Sequence, residues 1–194
     1  DSLFRGVGDY YLGGALEVIS TPLHFDFKQL RMTPAEIRAS FKKLNWNRMA
    51  GFLTHNPIHR PQFEMTINAM QQARTNLLLL PIAGMTRPGD FDHFTRVRCY
   101  RHVVRHYPPD SHILSMLPLA MRMSGPREAL LHAIIAKNYG CTHFITGRDH
   151  AGPGPDNNGQ PYYESNEASK LTETHSREIG LTVIPFTEMV YLPF

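Results

Sequence analysis

Cysteine is scarce in this chain, with 2 among 194 residues, Cys99 and Cys141. Two thiols without paired spacing exclude a disulfide-built fold. Both fall in predicted regular elements, where buried reduced thiols are expected. A reducing compartment, and with it a cytoplasmic location, is the corresponding expectation. There is no H-E-x-x-H and no paired-Cys ligand spacing, so no protein-ligated metal is expected. No apolar run reaches 18 residues, which argues against a membrane-spanning helix. Lys/Arg runs are also missing. The 20 basic and 17 acidic residues are dispersed for a net charge of +3, which suits an anionic small ligand rather than nucleic acid. The 11 histidines add positive charge below about pH 6.5. The opening DSLFRGVGDYY has neither Met nor a signal-peptide pattern, so a fragment or trimmed chain is the expectation. Internal repeats and low-complexity tracts are absent.

What is present is enough for one core. With 42% hydrophobic residues, the chain can bury one substantial interior and form one main domain. Residues 1–30 carry short β-like pieces, clearest in YYLGGALEVIS, with a hairpin turn expected at Gly13 and Gly14. In RMTPAEIRASFKKL, Thr33 reads as an N-cap, Pro34 as the first helical residue and Glu36 as the partner in a capping box. A helix over 34–44 follows. Strand-like runs at 48–54, 76–83, 112–120, 142–147 and 181–186 then alternate with helix-like runs near 62–74, 91–106, 126–138 and 165–178. Several of the strand runs are almost wholly apolar, as expected when helices cover both faces of a parallel sheet. The alternation predicts a doubly wound α/β domain with a mostly parallel sheet. Ligands of such sheets bind beyond the carboxyl ends of the strands.

Two segments fall at those ends. LTHNPIHRPQ, residues 53–62, brings Thr54, His55, Asn56 and His59 to a helix N-terminus, where free N–H groups and the macrodipole favour an anion. A plain turn with surface histidines is the other reading. GRDHAG, residues 147–152, follows the fourth strand, and its glycines permit close backbone approach to a ligand. Upstream, MRMSGPRE (121–128) leads into a helix, where Arg127 and Glu128 are expected to form a loop-fixing ion pair. Asp90, Arg96 and Arg98 are explained by capping and by subunit or domain contacts. His102 and His106 stand four apart on one helix without an evident third ligand.

The chain resembles the ATP sulfurylase (sulfate adenylyltransferase) family over nearly its whole length. The resemblance rests on GDYYLGG, TPAEIRASF, GFLTHNPIHR, GMTRPGDFDHFTRVRCY, LPLAMRMSGPREALLHAIIAKNYGCTHFITGRDHAGPG and FTEMVYL. It implies a Rossmann-like nucleotidyltransferase domain over 31–194, incomplete at its C-terminus. It also implies that residues 1–30 are the end of a β-rich, PUA-like domain. The implied reaction makes adenylyl sulfate and pyrophosphate from Mg-ATP and sulfate. By resemblance Thr54, His55, Asn56 and His59 form the catalytic set. Asn56, His59, Gly147, Arg148, Asp149, His150 and Val190 would bind ATP, and Leu53, His55 and the Ala151 amide would face sulfate. Homo-oligomers and a fused or associated adenylyl-sulfate kinase are also implied.

The chain departs from the family pattern in the first loop. Family members usually carry Gln-x-Arg-Asn and then, two residues on, His-x-x-His. Here Leu53 and His55 stand in the Gln and Arg positions and Gln62 in that of the second histidine. A guanidinium offers an oxyanion two parallel donors, whereas a neutral imidazole offers one. At roughly 1.5–3 kcal/mol per charge-assisted bond, the change from Arg to His costs about tenfold to a hundredfold. An anion held by His55 would bind more tightly as pH falls through about 6.5. Arg60 reads as a solvated helix-end charge. Three functional classes therefore stay open: an impaired adenylyltransferase, a non-catalytic relative serving assembly or a kinase, and transfer to another oxyanion.

Overall fold

A computed structural model describes residues 8, 10, 12–20, 23–84 and 91–185. Asp90 and Val190 lie outside them. The order of elements is α1 (Pro34–Lys43), β1 (Met49–Thr54), α2 (Arg60–Ala73), β2 (Asn76–Pro81), α3 (His93–Val103), β3 (His112–Leu114), α4 (Pro126–Asn138), β4 (His143–Ile145), α5 (Glu167–Thr174), α6 (Ser176–Ile179) and β5 (Thr182–Ile184).

The five strands form one sheet in the order β3-β2-β1-β4-β5, and every pairing is parallel. The chain runs outward from β1 to one edge and then returns to build the other half. The order reverses between β1 and β4, where crossovers leave on opposite faces and open a crevice.

Side-chain alternation accounts for the two-sided core. Leu78 and Leu80 of β2 join Met49, Leu53, Ile37, Phe41 and Ala133 on the α1/α4 face. Leu77 and Leu79 join Ala50, Phe52, Met65 and Tyr100 on the α2/α3 face. Gly51 lets α4 approach, since a Cβ there would lie 3.0 Å from both Ala136 Cβ and Cys141 Sγ.

The capping box opens α1 as predicted: Glu36 N–H donates to Thr33 Oγ1, and Thr33 N–H donates to Glu36 Oε2 at 2.7 Å. Other expectations need correction. Described residues 12–20 contain no strand, and Leu12, Leu16, Val18 and Ile19 are exposed. A β-like sequence without a neighbouring strand has no ladder to join. The predicted strand over 112–120 is regular β only through Leu114; beyond it, contact with β2 continues through Ser115 N–H to Leu79 O, Leu117 N–H to Pro81 O and one bridge between Ile82 and Leu117, while Met116 N–H, on the outer edge, donates to Leu30 O. The helix expected over 165–178 is two helices divided at His175. Cys141 is buried and desolvation pushes its thiol up to about 12, whereas Cys99 lies exposed on α3. Among the described residues no helix is long and apolar enough to cross a membrane.

Candidate functional site

One cleft of about 490 Å³ lies where the loops after β1 and β4 meet. Such a volume accommodates a small-molecule ligand. Leu53, Thr54, His55, Asn56 and His59 line one side, and Gly147, Arg148, Asp149, His150 and Ala151 line the other. The two sequence motifs therefore share one cavity.

The first loop is held from behind by α3. Arg96, buried, donates from Nη1 to His55 O at 3.0 Å and to Ile82 O at 3.3 Å. Tyr100 OH donates to Asn56 O at 2.6 Å, and burial raises its phenol, so it remains a donor. Thr54 Oγ1 donates to the same carbonyl at 3.3 Å. Sequence reasoning had assigned Arg96 to capping or interfaces, but it and Tyr100 are the supports of this loop. No signal in the sequence singles it out: Arg96 is one of three arginines on α3 and stands four residues before Tyr100 on the same face, but the carbonyls it holds lie in distant loops. The N-cap of that helix is Asp92, which accepts from Thr95 N–H at 2.9 Å.

His59 is the N-cap of α2 and makes no capping bond with its side chain. Its Nδ1–H donates to Gln62 Oε1 at 3.0 Å, so Gln62 orients the His59 ring. The unsatisfied N–H groups of the first turn face the cleft end of the helix, where an anion is favoured. Arg60 is solvated and only 3.9 Å from Glu64. Leu53 belongs to the apolar cluster under α4 and is 3% exposed.

The second loop is tightly constrained. His150 Nδ1 accepts from Gly147 N–H at 3.4 Å, and its Nε2 lies 2.9 Å from His132 Nδ1 of α4. Burial, then His132 and His55, lower His150 to about 3; burial, opposed by Glu128 and aided by His55, lowers His132 to about 4. At neutral pH both are uncharged. Arg148 is exposed and pairs with Asp149 at 3.3 Å, an ion pair weak enough for a phosphate to replace. Ala151 holds a left-handed backbone, φ 58, and its carbonyl accepts from Gly125 N–H at 2.9 Å. Non-glycine residues held in that region often mark ligand-contact turns.

Glu128 does not pair with Arg127 as expected. Its two oxygens accept from Arg122 N–H at 2.7 Å and Ser124 N–H at 2.9 Å. Two backbone donors satisfy a buried carboxylate that a mobile side chain would otherwise have to follow. Met121 and Met123 of the same loop line the cleft. His102 and His106 make an edge-on ring contact at 5.6 Å.

Comparison with known proteins agrees with this layout. The ATP-sulfurylase family model matches residues 28–194. The sulfate adenylyltransferase of Schizosaccharomyces pombe is 51% identical over 193 residues, which is 100% of this chain and 39% of that protein. That of Saccharomyces cerevisiae is 49% identical over 191 residues, 98% of this chain and 37% of that protein. This chain thus spans less than two fifths of the length of these relatives. Among solved structures, a hexameric APS kinase from Thiobacillus denitrificans superposes with a TM-score of 0.70 at 30% identity, over 88% of this chain and 30% of that one. With five parallel strands in this order, the GRDHAG turn facing HNPIH across one cleft, and a family match over most of its length, the chain belongs to the ATP-sulfurylase family.

Proposed function

We propose that the cleft binds Mg-ATP and transfers its adenylyl group to sulfate, releasing pyrophosphate, with an acceptor side that works poorly. The observation that carries this reading is the shared cleft itself: α2's N-terminus and His59 face Arg148 and the 147–152 turn across one opening. A sulfate oxygen attacks the α-phosphorus. As that O–P bond forms, the bond between the α-phosphorus and the oxygen bridging it to the β-phosphorus breaks, and pyrophosphate leaves with that oxygen and the electron pair. In such a step positioning and fixed positive charge provide most of the rate. Arg148 supplies the charge, and the α2 N-terminus and the amides of the second loop supply dipoles. His59, oriented by Gln62, stands where the α-phosphate would sit. Asn56 and Thr54 shape the first loop, and Val190 is assigned to the adenine side by resemblance alone.

Asp149 is the single carboxylate among the described residues lining the cleft. A magnesium ion held by the protein alone would need more oxygen ligands, so the ion arrives on the nucleotide and neutralises phosphate charge.

The non-catalytic reading keeps one specific support, the burial of Leu53 in the core where the family has a donor. Turnover in both directions separates the two readings. Adenylyl sulfate with pyrophosphate should give ATP readily, while the forward direction should need sulfate at least about tenfold above what an arginine at position 55 would require. No ATP formed from adenylyl sulfate would favour the non-catalytic reading.

We further infer an oligomeric, cytoplasmic protein that works beside an adenylyl-sulfate kinase. The likeness to a hexameric APS kinase and the two free cysteines support it. Residues 31–194 are taken as the catalytic unit and residues 1–30 as the edge of a separate PUA-like domain. The family match beginning at residue 28 and the exposed Leu12, Leu16 and Ile19 support that division.

A further inference from the structure

We propose that His132 is a positioning residue for the second loop, fixing the tautomer of His150 through a buried relay that runs from Glu128 to the amide of Gly147. The geometry sets the direction of each bond. Gly147 N–H can only donate, so His150 Nδ1, 3.4 Å away, accepts and carries no proton. A neutral His150 must then hold its proton on Nε2, which donates to His132 Nδ1 at 2.9 Å. His132 therefore carries its own proton on Nε2. That atom has no hydrogen-bond partner and lies 3.8 Å from Glu128 Oε1, close enough for the carboxylate to favour an N–H there. Glu128 in turn is anchored by the amides of Arg122 and Ser124. The relay joins the two loops on either side of α4's N-terminus.

His132 is fully buried and His150 is 8% exposed, so water cannot replace a lost partner. Phe144 packs against the His150 ring at 5.5 Å, and the two imidazoles meet edge to face at 5.1 Å. The charged or titratable groups facing the pair are Glu128 from α4 and His55 from the first loop. Because His150 uses both ring nitrogens internally, it offers none to a phosphate. Its contribution is the shape of the 147–151 turn, and His132 enforces that shape. The opposite His150 tautomer would set an N–H against the Gly147 N–H and force the turn open. The consequence for nucleotide affinity rests on the function proposed above, but the tautomer does not.

The test compares the full chain with His132→Asn, whose Oδ1 replaces the accepting nitrogen, and His132→Leu, which removes it. Long-range ¹H–¹⁵N NMR at pH 7 reads the His150 tautomer, and calorimetry reads ATP affinity. The proposal expects the Nε2–H form in the wild type and in His132→Asn, and a mixed or Nδ1–H form in His132→Leu. ATP affinity should fall about tenfold in His132→Leu and return to within about threefold of wild type in His132→Asn. An Nδ1–H or charged His150 in the wild type overturns the proposal, as does an unchanged tautomer in His132→Leu. If the leucine variant fails to fold, the wild-type tautomer and the asparagine rescue still decide. The predicted tautomers in a chain that does not bind ATP would uphold the relay and overturn the reading of the cleft.

Discussion

Leu53 near the end of β1 and His55 in the loop just after it stand two residues apart yet do different things. Leu53 points into the core under α4, and His55 hangs over the cleft with its carbonyl tied to Arg96. Restoring the family pair by Leu53→Gln with His55→Arg should raise sulfate-dependent turnover by about tenfold to a hundredfold. The same change should lower stability by about 1–3 kcal/mol, because an amide then enters an apolar cluster. Turnover and urea unfolding on the same sample check both; unchanged turnover would mean that the acceptor side is limited elsewhere. Tyr100→Phe removes one donor from the Asn56 carbonyl and should cost about 0.5–1.5 kcal/mol in urea unfolding, with no change to the packing of the ring. At this scale the sequence carried much of the information. Each described residue proposed from the two motifs lines one cleft. Arg96, Tyr100 and His132 were not legible, since they act through carbonyls and ring nitrogens of loops distant in sequence.

Between elements, the critical joint is the start of α4. Gly125 caps the helix at φ 63, ψ −131, a backbone region that other residues scarcely enter. A Cβ there would fall 2.4 Å from the Tyr163 ring. Gly125→Ala should therefore cost about 1–3 kcal/mol for the backbone alone and disturb the bond from Gly125 N–H to Ala151 O. Chemical denaturation checks the first effect and ATP affinity the second. The helices were readable because their caps are local: Thr33 with Glu36 opens α1 and Pro126 stands in the first turn of α4. The strands were less so. A run such as HILSMLPLA is almost wholly apolar, and nothing in it marks where the regular ladder with β2 gives way to the single bridge between Ile82 and Leu117.

For the whole molecule, the sheet order 3-2-1-4-5 puts the reversal between β1 and β4. Alternation predicted a parallel sheet, but which strands lie side by side comes only from long-range contacts. Buried histidines also shape the response to pH. His132 at about 4 and His150 at about 3 lie below the ordinary histidine value of 6.5 because burial opposes their charge. Burial lowers His112 and His143 as well. Between pH 6.5 and about 4 the unfolded chain binds protons that the native chain refuses, so stability falls as pH falls through that window. Asp26 acts lower down: hydrogen bonds from His93 and Arg31 hold it at about 2, and the stability it contributes is lost as pH falls from 3.8 towards that value. Thermal melts from pH 7 to 4.5 should show a steady decline that His132→Asn makes shallower; a flat series would contradict the buried neutral pair.

The central claim is that the loops after β1 and β4 form one nucleotide site. Equilibrium binding of ATP to the full chain, with adenylyl sulfate as competitor, tests it most directly. Saturable binding is expected, displaced by adenylyl sulfate and weakened about tenfold by Arg148→Ala through loss of a charge-assisted contact. Absence of binding, or binding that is indifferent both to adenylyl sulfate and to the charge at Arg148, would contradict it.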